Sequence, residues 1–380
     1  MYRQHEVYFG TWVLFSEFQV RSQTIIGRCG STVVRSAICL LLLGTLIALF
    51  LPVFYVSVSV NAQEKAPLKL IATTPLLGFS GDFDHFAVDL RGNRLFLAAE
   101  DHKTVEVFDL RTGKSLHSIT GFGQPHAILF LPDTNKLIVT DGDDFGRVAL
   151  VDGRSYEILD TIKLPPGVDG AIFNPLTKDY YVESGGGAGA ATHLLNIIDA
   201  KNFKHVGDVT LPGNHSEAMA VDRAGKKLYV NLTGTNEVGV VDLATRQLIS
   251  RWPVPNAKVE NSMVLDEPNH RLFIATRQPP TFFVFDTDTG KVVTSLPCAP
   301  FNDDMWFDRP RKRIYATGSE TTTVIQQRDA DHYEHVAEVP TGYRAKTSIL
   351  VPELNRLYVA VSGKGKPDAK LALQIFQIQP

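Results

Sequence analysis

Beyond about position 68, apolar residues come in runs of four to six, rich in Val, Ile, Phe and Tyr and separated by Gly, Pro, Asn and Asp. Such runs predict short β-strands joined by turns, and no stretch of helical period interrupts them. One twelve-residue pattern recurs: a polar residue, a short apolar strand, a turn, a basic residue and a second apolar strand. It reads DHFAVDLRGNRL from Asp84, HAILFLPDTNKL from His126, DGAIFNPLTKDY from Asp169 and EAMAVDRAGKKL from Glu217. It returns as NSMVLDEPNHRL from Asn261, DDMWFDRPRKRI from Asp303 and KTSILVPELNRL from Lys346. The starts lie 42, 43, 48, 44, 42 and 43 residues apart. A third strand follows, ending in five units at an aspartate (Asp109, Asp152, Asp199, Asp242, Asp286), then a polar turn and a fourth strand such as SLHSI. Four short strands per unit of about 40–45 residues make one propeller blade.

Seven such units fill residues 63–380 and leave no room for a second domain. The last unit stops at its third strand, LALQIFQI, while an unassigned strand, LKLIATTPL (Leu68–Leu76), precedes the first unit. The expected fold is therefore all-β, a seven-bladed β-propeller closed by the N-terminal strand, which removes an open sheet edge. The stretches KKLYVNLTGTNEVGVVDLATRQLISRWPV, NRLFLAAEDHKTVEVFDLRTGKSLHSI and HRLFIATRQPPTFFVFDTDTGKVVTSL resemble the repeat of the YVTN-repeat, YncE-like bacterial propellers. The sixth unit departs from it, since VIQQRDADHYEHV lacks the third-strand aspartate, and the third carries an insertion, GGGAGAA. The resemblance implies an exported propeller. Its relatives include lactonases, a streptogramin-opening lyase, redox subunits and proteins that only bind, so it specifies function poorly.

Residues 1–62 have a different character. From Ser36 to Val60 there is no charged residue, Arg21, Arg28 and Arg35 precede the run, and Val60-Asn61-Ala62 follows it. A positive region, a long apolar core and a small-residue cleavage pattern predict a signal peptide cut after Ala62, with an uncleaved membrane anchor as the competitor. Either places the body in the periplasm or outside the cell, and contact with a membrane is expected only through that segment. The leader is long and partly acidic for a signal peptide, which raises a non-standard start near Val33 as a hypothesis.

The leader holds four of the 38 basic and two of the 41 acidic residues, so the body carries a net charge of −5. A mildly acidic body lacks the basic footprint of a nucleic-acid binder. Cys298 is the one cysteine of the body, so no internal disulfide is available to it. The absence of CxxCH excludes covalent haem c. The absence of HExxH and GxSxG lowers zinc-protease and serine-hydrolase readings. Trp252 and Trp306 are too few for the tryptophan-docked blades of quinone dehydrogenases.

The first column of the repeat carries the candidate chemistry. Innermost strands of a propeller line its central channel, so Asp84, His126, Asp169, Glu217, Asn261, Asp303 and Lys346 are expected to converge on one mouth. These are candidate ligand-binding residues, although a wet channel rim would be polar for no further reason. Carboxylates, an imidazole and an amide also suit one divalent cation (Ca, Mg or Zn), and His126, Asp169 and Glu217, consecutive and farthest from Lys346, are the candidate metal ligands. Lys346 is expected to neutralise Asp303 and Asp84. His85 and Asp304 in the second column join that sector as candidate acid–base catalysts. Gly185–Gly189 is a candidate lid. Asp141–Asp144 is read as an exposed acidic turn rather than a calcium loop, and Lys364, Lys366 and Lys370 as a solvated loop. The reading is a monomeric, exported scaffold binding a small molecule or protein at its top face. The alternative is a metal-dependent lactonase or lyase.

Overall fold

Strand formation follows the repeat. The computed structural model describes residues 66–143, 146–366 and 368–380, which lie within the unit Gln63–Pro380. Seven four-stranded antiparallel sheets, each ordered from an inner to an outer strand, form the blades of a seven-bladed propeller. The first blade comprises Phe86–Asp89, Arg94–Ala99, Thr104–Asp109 and Ser115–Ile119. In the seventh, Thr347–Val351, Arg356–Val361 and Ala372–Ile378 are completed by Leu68–Pro75, which pairs antiparallel with Ala372–Ile378 as the outer strand. Blades seven and one also meet through Thr347 Oγ1 donating to the Phe83 carbonyl at 3.2 Å and Ser362 Oγ to that of Gly81 at 2.9 Å.

Burial explains why the middle strands are apolar runs rather than alternating ones. Leu95–Ala99 are all buried, because each middle strand has a neighbouring blade against both faces. Outer strands have one covered face, and Gln247–Pro253 alternates accordingly. In all seven blades the pairing of the outer strand is broken by a register shift, for example between Val107 and Phe108 and between Val324 and Ile325. Such bulges twist an edge away from further strand addition.

The repeated aspartate is a turn former. Asp109 Oδ1 accepts the backbone N–H groups of Arg111 and Thr112 at 3.1 and 2.8 Å, and Asp286 does the same for Asp288 and Thr289. The hydroxyl of Thr112, with those N–H groups, holds the Asp109 carboxyl below its usual range. In the sixth blade, Gln326, paired with Arg313, stands where the aspartate is missing. There the task moves three residues on: Asp329 Oδ1 accepts the N–H groups of Asp331 and His332, both at 2.9 Å. Among the described residues no helix is long and apolar enough to cross a membrane; the run 36–60 and its cleavage pattern lie outside them.

Candidate functional site

First strands begin, and second strands end, at one face of the ring. There Asp84, His126, Asp169, Glu217, Asp303 and Lys346 line one cavity of about 220 Å³. Asn261 lines the adjoining channel, a void of about 430 Å³ that shares His85, Glu217 and Asp303 with the cavity.

Within this ring the charges are matched from blade to blade. His126 Nδ1 lies 2.6 Å from Asp84 Oδ2 and 3.5 Å from Asp169 Oδ1. Lys346 Nζ donates to Asp303 and stands 3.6 Å from Asp84. Arg277 reaches Asp303 at 2.7 Å, and Asn261 Nδ2 donates to the same oxygen at 3.2 Å. His85 Nδ1 is 3.0 Å from Asp304 and its Nε2 is 3.5 Å from Asp84, so the ionisable sector around Lys346 exists as a bonded network.

The network sets protonation. Burial would raise Asp84, but Lys346, His85 and His126 outweigh it and hold the carboxyl far below its usual range. Burial would lower His126, but Asp169 and Asp84 raise it to about 9; Asp84 and Asp304 likewise push His85 well up. Across the ring the balance is reversed. Burial, helped by Asp169 and Asp303 against His215, lifts Glu217 to about 7.

The metal expectation needs correcting. Among the described residues, the group of three ligand atoms within 4.8 Å of one another is Asp84, Glu100 and His126, which shares only His126 with the predicted trio. Glu217 pairs instead with His215, whose Nε2 lies 2.9 Å from Glu217 Oε1 and whose Nδ1 lies 2.8 Å from Glu183 Oε1. The Asp84 group fits an ion by donor type, but Asp84 and His126 already neutralise each other, and an ion there would have to displace the imidazole proton.

Several mouth residues were not foreseen. Glu100 and Arg277 follow or end second strands, and Glu183 sits in one (Asp179–Ser184). Asp82, His215, Phe301 and Arg344 each lie two residues before a first-column position, in the loops that lead into the first strands. Val259, Phe301 and Arg344, at this position of the repeat, have φ of 60°, 55° and 45°, values that side chains rarely adopt. The strain at Phe301 and Arg344 turns both into the cavity, where the guanidiniums of Arg277 and Arg344 lie 4.2 and 4.1 Å from the Phe301 ring centroid.

Other sequence candidates serve the mouth indirectly. Asp141 is fully buried, accepting the N–H groups of Gly123 and Gln124 and pairing with Arg147, so it is structural rather than an exposed turn; Asp144 lies outside the described residues. The Gly185–Gly189 loop packs on the segment that carries His215: a Cβ on Gly186 would lie 2.1 Å from the Asn214 carbonyl oxygen. Lys364 is not merely solvated, since it stands 3.2 Å from Asp101 and 3.6 Å from Glu100 at the cavity wall; Lys366 Nζ lies over the Tyr343 ring at 4.9 Å.

No family model matches the chain. THO complex subunit 3 of Arabidopsis thaliana is 21% identical over 248 residues, 63% of this chain and 73% of that protein. Among solved structures, a chain of a mitotic checkpoint complex is similar with a TM-score of 0.67 at 14% identity, covering 82% of this chain and 92% of that one. A chain of Kuenenia stuttgartiensis hydrazine synthase has a TM-score of 0.63 at 19% identity, covering 75% and 94%. These likenesses show the β-propeller fold and leave the YVTN-repeat kinship as a resemblance of the repeat unit.

Proposed function

We propose that this chain is an exported binding scaffold that receives a small molecule or a protein partner at its top face and central channel. The observation that carries the reading is the convergence of ionisable side chains from all seven blades on one cavity, held by ion pairs that pre-set their geometry. The outer strands support it from the other side, because bulges in every blade leave the flanks poor surfaces for strand addition. THO complex subunit 3 and the mitotic checkpoint complex are named for assemblies, which favours protein binding. Export rests on the uncharged run before Ala62. The test is photo-crosslinking in the native host, with the reactive residue at Lys366 on the top-face loop or at Leu116 on an outer strand. Adducts from Lys366 alone are expected; adducts from Leu116 alone would overturn the top-face reading.

A second reading, a metal-dependent lactonase or lyase, is favoured by the Asp84–Glu100–His126 group. An ion there would polarise an ester carbonyl and a neighbouring carboxylate or imidazole would move the proton. Elemental analysis of the chain purified without chelator, beside an Asp84→Ala and His126→Ala double variant, tests it. One ion per chain lost in the variant supports the enzyme, and no ion in the parent removes it.

A further inference from the structure

Each cation of the mouth already has a carboxylate partner, with Arg344 Nε left as an unpartnered donor, whereas several acceptors have no donor. Arg277 is bound to Asp303 at 2.7 Å, Arg344 to Asp82 at 2.5 Å, Lys364 to Asp101 at 3.2 Å, and Lys346 to Asp303. On blades three to five the situation is opposite. The cation within 4 Å of Asp169 is His126, which Asp84 already holds more closely. Glu217 shares one imidazole with Glu183, whose Oε2 accepts no hydrogen bond from the protein. Asp169 and Glu217 stand close enough to repel each other. Asn261, 2% exposed, gives its N–H to Asp303, but its Oδ1 accepts nothing from the protein. Ser348, 1% exposed, has an equally unpartnered hydroxyl, and both residues line the channel. Buried acceptors without donors are costly, and a ligand that supplies donors recovers that cost.

Below the ring the channel changes character. Met219, Met263, Met305, Ile172 and Phe86 line it, and the three methionines come from consecutive blades. Thioether side chains adapt to irregular apolar ligands. An alkylammonium has three N–H donors and one positive charge. Those donors answer three acceptors on consecutive blades, and its apolar chain answers the methionines.

We infer that the mouth takes a small amphipathic amine, with its ammonium among Asp169, Glu217 and Asn261 Oδ1 and its apolar body in the channel against Met219 and Met263. This rests on the binding-scaffold reading and names the ligand class of that site. Anions are disfavoured because each cation of the ring already pairs with a carboxylate, Arg344 through its Nη2 although its Nε has no partner; neutral alcohols leave the Asp169–Glu217 repulsion in place.

Isothermal titration of the full chain with n-hexylamine, methylamine, 1-hexanol and hexanoate tests the inference, with Asp169→Asn and Asn261→Leu variants in parallel. Asp169 carries few contacts, its side chain is 30% exposed, and its variant is expected to fold. Hexylamine should bind saturably, methylamine at least about tenfold more weakly, and hexanol and hexanoate not at all up to about 10 mM. Each variant should lose about tenfold in hexylamine affinity with its melting temperature retained. Equal binding of hexanoate or hexanol would overturn the amine class while leaving the mouth a binding site. Equal binding of methylamine would overturn the amphipathic part. Unchanged affinity in a folded Asp169→Asn, or no saturable binding of hexylamine, would overturn the inference; top-face crosslinks persisting beside that result would leave the scaffold reading standing.

Discussion

Glu260 offers the sharpest test of the electrostatics. It enters the fifth blade at a register shift beside Val259, a β-branched residue at φ 60°. The residue is fully buried, and no other residue hydrogen-bonds either carboxylate oxygen. Burial, with a smaller contribution from the charge of Glu237, raises its pKa from 4.5 to about 7. The folded chain therefore holds a proton that the unfolded chain has lost between those values. The contribution of Glu260 to wild-type stability must fall as pH rises from about 4.5 to 7 and then level off. At about 1.36 kcal/mol per pH unit the full displacement amounts to about 3 kcal/mol. Glu260→Gln has the shape of the protonated acid and no charge to desolvate. The variant should match the wild type below pH 4.5 and exceed it by about 3 kcal/mol above pH 7. With an unfolding entropy of roughly 2.1 cal/mol/K per residue over Gln63–Pro380, that is a rise of about 4–5 °C in melting temperature. Scanning calorimetry of both proteins from pH 4 to 8 measures it. A difference that does not change with pH, or one that shrinks as pH rises, would refute the reasoning.

Three further outcomes follow from the same geometry. Lys346→Met strips the counter-charge from Asp303 and Asp84 in a buried setting and should destabilise by about 3–5 kcal/mol, with part recovered in the Lys346→Met and Asp303→Asn double variant; additive losses in a denaturation double-mutant cycle would contradict the pairing. His126, raised to about 9, stays protonated through neutrality, so its stabilising contribution is complete below pH 6.5 and lost as pH rises through about 9. A ring ¹⁵N titration midpoint near 6.5 would count against that assignment. Asp329→Ala removes the turn acceptor of the sixth blade and should lower the midpoint of chemical denaturation slightly, whereas no loss would mean the turn stands without it.

Much of the fold was legible because a propeller blade is a local object. Strand, turn and strand are set by residues within about 45 positions of one another, so the pattern that begins at Asp84 and returns at Lys346 carries its own boundaries. Even the sixth-blade irregularity is local: losing the aspartate at Gln326 is repaired three residues on by Asp329. The first column pointed to the mouth for the same reason, since a strand's starting end is a property of its own blade.

What the tertiary structure alone decided is which charge meets which. Asp84 and His126 are 42 residues apart, His85 and Asp304 are 219 apart, and His215 gathers Glu183 and Glu217 from two blades. Residue types say that carboxylates, imidazoles and a lysine share a rim. Only closure of the ring, with the strain that turns Phe301 and Arg344 inward, sets the distances at which Coulomb interaction and desolvation compete. That competition ties His126 to Asp84 instead of to Glu217, and it leaves the unpaired acceptors on blades three to five, where a ligand's charge would be felt most.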